Sequence, residues 1–125
     1  MAAKTVAVVG ASADRTKFGN KAVRAFRDAG WIVFPIHPVL TQVEGLPAFG
    51  SLDDLPVTAL DQISFYVPPK IGFALLDQVH RKNAAELWLN PGSESPQILA
   101  RAAELGVNVI QACSILGAGR HPGAY

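Results

Sequence analysis

Five short runs rich in β-branched and other apolar residues recur along this chain, each closed by glycine, proline or a polar turn, and longer stretches of helical or irregular pattern separate them. Parallel strands buried on both faces read as such unbroken apolar runs, and they need crossover connections that return over the sheet. The runs are Lys4–Val9, Trp31–Ile36, Leu60–Val67, Ala85–Leu89 and Val107–Ala112. Between them, Asn20–Ala29 carries Ala22, Val23, Ala25 and Phe26 on one stripe and charged residues on the other, and Gly30 stands in the usual stop position. Pro68-Pro69 opens a helix expected to run to about Arg81, and Ser95-Pro96 opens another through Leu105, with Gly106 as its stop. Residues 39–50 read as irregular, and Ser51–Asp54 as a capped single turn.

This alternation predicts an α/β fold: a doubly wound, Rossmann-like sheet of five parallel strands. Right-handed crossovers suggest the order 3-2-1-4-5, with the winding reversing between strands one and four. A chain of 125 residues is expected to form a single domain over 1–125, its core at about 4–113 and its tail at 114–125, with the glycine-rich stretch Leu116–Tyr125 frayed.

Composition removes several classes of function. A formal charge of +1 argues against a nucleic-acid binder held by counterion release. No apolar run reaches the ~18–20 residues of a membrane helix, and the start MAAKTVAVVG lacks the basic-then-apolar pattern of a secretory leader. The single cysteine, Cys113, cannot form an intramolecular disulfide and fits a reducing compartment, so a cytoplasmic location is expected. Charge is unevenly distributed: residues 1–30 hold Lys4, Arg15, Lys17, Lys21, Arg24 and Arg27 against only Asp14 and Asp28.

In doubly wound sheets ligands bind outside the carboxyl ends of the strands, where the winding reverses. That rule nominates the loops Gly10–Lys17, His37–Gly45, Pro68–Pro69, Asn90–Ser93 and the segment from Cys113 onward. Gly10-Ala11-Ser12 follows a buried strand and precedes a helix, the setting in which free amides and the helix dipole favour an anion. Ser12 adds a hydroxyl, and Arg15, Lys17 and Lys21 add cations suited to phosphate. A dinucleotide fingerprint is missing: positions 10, 12 and 15 are Gly, Ser and Arg, and strand two ends in His37-Pro38 where Asp or Glu would meet the ribose. No Gly-Lys-Ser/Thr phosphate loop occurs either.

The ordered set Val-Val-Gly10-Ala11-Ser12, Lys17-Phe18-Gly19-Asn20, Phe34-Pro35-Ile36-His37-Pro38, Val67-Pro68-Pro69 and Trp88-Leu89-Asn90-Pro91-Gly92 resembles the stand-alone CoA-binding domain family, itself similar to the CoA-binding domain of the succinyl-CoA synthetase alpha subunit. The resemblance runs from about Lys4 to Cys113. It implies that Gly10, Ala11 and Ser12 carry the pyrophosphate of coenzyme A, that Arg15 and Lys17 face its phosphates, and that Pro38, Val67 and Pro68 flank adenine and ribose. Phe18, Asn20, His37, Pro69, Asn90, Gly92 and Cys113 complete the candidate binding residues, Cys113 as a thiol near the end of the pantetheine arm. One departure stands out: many relatives carry a lysine after an Asn-Pro at the end of strand two, and this chain has His37-Pro38-Val39.

No catalytic or metal constellation is predicted. His37 is the only histidine placed near Cys113, Ser12 lacks the glycine of a nucleophile elbow, and one cysteine with three scattered histidines has no metal-ligand spacing. The expected function is therefore a module that holds coenzyme A or an acyl-CoA, with no nucleic-acid or membrane partner. The alternatives are a NAD- or other nucleotide-dependent oxidoreductase and a protein-interaction module with a vestigial nucleotide site.

Overall fold

The computed structural model describes residues 3–125. The first strand, β1 (Thr5–Val9), is buried along nearly its whole length. It is followed by α1 (Phe18–Asp28), β2 (Ile32–Ile36), a hairpin of β3 (Gln42–Val43) and β4 (Leu46–Pro47), and a 3-10 turn at Leu52–Asp54. Then come β5 (Leu60–Phe65), α2 (Pro69–Arg81), β6 (Ala84–Leu89), α3 (Pro96–Leu105), β7 (Val109–Ile110) and α4 (Ser114–Gly117). Five strands form one parallel sheet in the order β2-β1-β5-β6-β7.

The doubly wound parallel sheet is as the sequence predicts, with one change of order. The third long strand, β5, pairs with β1, not outside β2, so the winding reverses between β1 and β5. The position outside β2 is already taken. Phe49 runs parallel to Ile36 there, receiving the His37 N–H on its carbonyl and donating its own N–H to Pro35 O, each at 2.9 Å. The β3–β4 hairpin holds that segment in place, turning through Glu44 (φ 51°) and Gly45 (φ 77°), the paired left-handed residues of a tight hairpin turn. Residues 39–50, expected to be irregular, thus form an ordered element that caps the sheet edge.

Helices cover both faces. Phe65, Leu76, Leu87 and Ile98 belong to the core beneath α2 and α3, and Val6, Val8, Phe26 and Ile115 to the core beneath α1 and α4. The α3 start is capped as expected, Ser95 Oγ accepting the Ile98 N–H at 3.2 Å, whereas Ser51 makes no side-chain cap to its turn. The tail expected to fray is instead docked on α1: the Tyr125 hydroxyl donates to Asp28 at 2.9 Å and accepts from Arg120 Nε at 3.0 Å, while Arg24 lies 5.5 Å from the Tyr125 ring centre. An aromatic ring and three charged partners supply the contacts that a Gly-rich composition conceals. Among the described residues no helix is long and apolar enough to cross a membrane.

Candidate functional site: a groove across the strand ends

Two glycines bring α1 close to the end of β1. Gly10 has φ 92°, and a Cβ there would sit 2.6 Å from Tyr66 O, so the chain turns between β1 and the end of β5 with no room for a side chain. Gly19 faces Gly10 from the first turn of α1; a Cβ on it would run into the Gly10 carbonyl. The motif Lys17-Phe18-Gly19-Asn20 therefore owes its glycine to helix–strand packing, the role the last glycine plays in a dinucleotide turn.

This close approach aims the α1 N-terminus at the groove. The first-turn amides of Phe18 and Gly19 have no intrahelical acceptor, no acidic residue lies in that turn, and Lys17 occupies the N-cap position with its side chain exposed. The loop before it is internally braced. Ser12 Oγ accepts the Asp14 N–H at 3.0 Å, and Asp14 Oδ1 accepts the Thr16 N–H at 3.0 Å and the Thr16 hydroxyl at 2.6 Å. Those Thr16 hydrogen bonds hold the Asp14 carboxyl below its ordinary value.

Two candidate residues brace the loop from behind. Asn20 is fully buried; its amide donates to Ser12 O at 2.8 Å and to Glu44 Oε2 at 3.1 Å, while its Oδ1 accepts Arg24 Nε at 2.8 Å. Arg15 lies 3.4 Å from Glu44 Oε1, and Arg27 donates to the Glu44 carbonyl at 2.7 Å. Glu44, which sequence reasoning missed, thus ties the β1–α1 loop to the β3–β4 turn. The Asn20 amide, with the charges of Arg15, Arg24 and Arg27, keeps its carboxyl below the usual glutamate range against the opposing effect of burial.

Three cavities join along the strand ends. The first, about 250 Å³, is apolar and lies between Ile36, Pro38, Leu52, Val67 and Ile71. The second, about 380 Å³, shares Gly10 and Val67 with it and runs past Lys17, Phe18, Pro68 and Gly92. A third of about 120 Å³ shares Phe18, Tyr66 and Pro91 with the second and ends at Asn90 and Cys113. The structure thus brings Gly10, Lys17, Phe18, Pro38, Val67, Pro68, Asn90, Gly92 and Cys113 to one continuous groove.

Other candidates lie off it. Ala11 is buried under the loop. His37 turns back on its own segment, Nδ1 accepting the Val39 and Leu40 N–H groups at 3.0 and 2.9 Å. Pro69 lines a separate cleft of about 320 Å³ with Phe73 and Ser95, between the starts of α2 and α3.

Behind the third cavity lies a buried polar cluster, missed apart from Asn90. Asn90 Nδ2 donates to Ser64 Oγ and to Phe65 O, both at 2.9 Å, and its Oδ1 accepts the Ser114 N–H at 2.8 Å and the Ser114 hydroxyl at 3.0 Å. Ser64 and Tyr66 hydroxyls lie 2.6 and 2.7 Å from Ser114 Oγ. Burial pushes the Tyr66 phenol up to about 12, against the hydrogen bonds of Ser114 and Ser64. A serine in the middle of a buried strand, two residues before a tyrosine on the same face, was the available signal.

A twisted parallel sheet with a glycine turn, an acid-free helix N-terminus and a groove at the reversal of winding is the architecture of a doubly wound ligand-binding domain. The family profile described as "CoA binding domain" matches residues 4–119, and the chain belongs to that family. Among solved structures, a conserved hypothetical protein from Pyrococcus furiosus is 31% identical, with a TM-score of 0.83 over 91% of this chain and 98% of that one. A Thermus thermophilus protein is 29% identical, with a TM-score of 0.79 over 88% of this chain and 82% of the other. The dinucleotide-forming acetyl-coenzyme A synthetase 1 of Ca. Korarchaeum cryptofilum, in complex with phosphate and ADP, shares the fold at 24% identity and TM-score 0.76, over 87% of this chain and 25% of its own.

Proposed function

We propose that this protein binds coenzyme A in the groove and holds it without transforming it. The observation that carries this reading is the succession of three adjoining compartments: an apolar pocket, a cavity at the helix start that shares Gly10 and Val67 with it and carries Lys17, and a smaller cavity that shares Phe18, Tyr66 and Pro91 with the second. Coenzyme A has the same sequence of parts. The pocket at Pro38 and Val67 suits adenine, the amides at the α1 start with Lys17 suit the phosphates, and the passage by Tyr66 and Pro91 toward Cys113 suits the pantetheine arm. The Ser12 hydroxyl, whose oxygen accepts the Asp14 N–H in the loop before α1, would add a donor to the phosphates. Family membership supports the same ligand.

Absence of chemistry is supported by how the polar groups are used. His37 Nδ1 is committed to two backbone amides, and Asn90 uses both ends of its amide within the cluster. Neither has the geometry of a general base poised toward the groove. Nicotinamide dinucleotides fit less well, because His37 stands where a ribose-binding carboxylate is needed.

Freshly purified protein, denatured to release its ligand and read by mass spectrometry alongside its adenine absorbance, is expected to yield coenzyme A. A different nucleotide in the released fraction overturns the assignment, as does equilibrium dialysis against coenzyme A well above the micromolar range that shows none bound.

A further inference from the structure

A loop that holds an anion has to show it N–H groups and keep its carbonyl oxygens turned away, because an oxygen facing a phosphate repels it. In the loop between β1 and α1, side chains of α1 draw two carbonyls to the helix side. Asn20 Nδ2 donates to Ser12 O and Arg24 Nη2 donates to Arg15 O, each at 2.8 Å. The two donors are themselves joined, since Arg24 Nε donates to Asn20 Oδ1, also at 2.8 Å.

The orientation of Asn20 is fixed by these partners. Its amide nitrogen meets only acceptors, the Ser12 carbonyl and the Glu44 carboxylate at 3.1 Å, and its oxygen meets the Arg24 guanidinium, which only donates. Turned round, the amide would set oxygen against two oxygens and nitrogen against a donor. Arg24 completes the bridge with two different nitrogens of one rigid plane, yet it lines none of the three cavities of the groove. A lysine there would keep the charge but offer a single nitrogen on a flexible stem, which cannot reproduce that two-pronged geometry.

We infer that Arg24 is a positioning residue for the phosphate end of the groove: with Asn20 it holds the Ser12 and Arg15 carbonyls behind the loop, so that phosphates meet the first-turn amides of Phe18 and Gly19 free of facing carbonyl oxygens. This rests on the coenzyme A reading above and adds to it a residue outside the groove that sets how firmly the phosphates are held.

The test is calorimetric titration of coenzyme A into the wild type, Arg24→Lys and Tyr125→Leu, each first checked for folding by circular dichroism. Arg24→Lys, which keeps the charge, is expected to weaken binding by about tenfold. Tyr125→Leu removes the ring whose centre lies 5.5 Å from Arg24 and leaves the bridge in place, so its affinity is expected to stay within about threefold of the wild type. Amide NMR of the wild type supplies a readout that loop bracing alone would not move: coenzyme A is expected to shift the Phe18 and Gly19 N–H protons downfield, and by less in Arg24→Lys at saturation. Wild-type affinity in Arg24→Lys overturns the positioning role and leaves coenzyme A binding standing. An equal loss in Tyr125→Leu assigns the effect to the docked tail and overturns it too. Coenzyme A that binds the wild type without moving the Phe18 and Gly19 resonances overturns it whatever the folding of the variants. No binding to the wild type overturns the coenzyme A reading and this role with it.

Discussion

Gly19→Ala sets two physical effects of opposite sign against each other. Helix propensity favours alanine over glycine by up to about 1 kcal/mol inside a helix and by less in the first turn, so on that ground alone the variant is more stable. Packing runs the other way. The added Cβ would lie 2.9 Å from the Gly10 carbonyl carbon and closer still to its oxygen, where ordinary contact begins at 3.4 Å. The obstacle is backbone at the end of a buried strand, with no flexible side chain to move aside, so α1 must retreat from β1. Overpacking of this kind costs about 1–3 kcal/mol, which exceeds the propensity gain.

Urea unfolding of Gly19→Ala is thus expected to show a lower midpoint at unchanged slope, and thermal unfolding a fall of roughly 3–5 °C per kcal/mol. Gly50→Ala, whose Cβ would meet only Asp54 Oδ2 at 3.5 Å, serves as the neutral control. Because the retreat also shifts the first-turn amides away from the groove, coenzyme A affinity is expected to drop by at least about tenfold. A Gly19→Ala protein as stable as the wild type, or more so, would falsify the close-approach argument.

Three further outcomes follow from the site. Ser12→Ala and Lys17→Ala are each expected to weaken coenzyme A binding by about 1–3 kcal/mol without unfolding the protein, measured by calorimetry and circular dichroism; unchanged affinity in both moves the phosphate position elsewhere. Since the Glu44 carboxyl is held below its ordinary value in the folded state, its contribution is present above the unfolded value and fades as pH falls through the folded one, so the stability gap between wild type and Glu44→Gln is expected to close on acidification, and a gap that persists in acid refutes the ionic tie. Cys113, half-buried beside the third cavity, is expected to react more slowly with iodoacetamide when coenzyme A is present, and identical rates with and without ligand detach it from the site.

The parts legible in the sequence were those fixed by local chemistry. β-branched runs gave the buried strands, Ser95-Pro96 and Gly106 bounded α3, and Gly10 followed by a basic stretch marked the strand-end loop. What escaped depends on contacts between distant residues. The place of β5 beside β1 hinges on Phe49 occupying the edge of β2, a pairing that two main-chain hydrogen bonds create and no local pattern announces. Arg15 and Asn20 are candidate binding residues by position, and Glu44, 24 residues beyond Asn20, ties both to the β3–β4 turn in a way no local pattern announces. The Ser64–Tyr66–Asn90–Ser114 cluster joins three segments, and its last member lies just beyond the expected core. Tyr125 shows why the glycine-rich composition of the tail misled: a single aromatic with charged partners on α1 holds the segment down.

Coenzyme A binding itself is measured by isothermal titration at low salt, with NAD titrated under the same conditions. The groove predicts a coenzyme A dissociation constant in the micromolar range, roughly −7 to −9 kcal/mol, and much weaker binding of NAD. No heat with coenzyme A, or NAD binding more tightly than coenzyme A, contradicts the account.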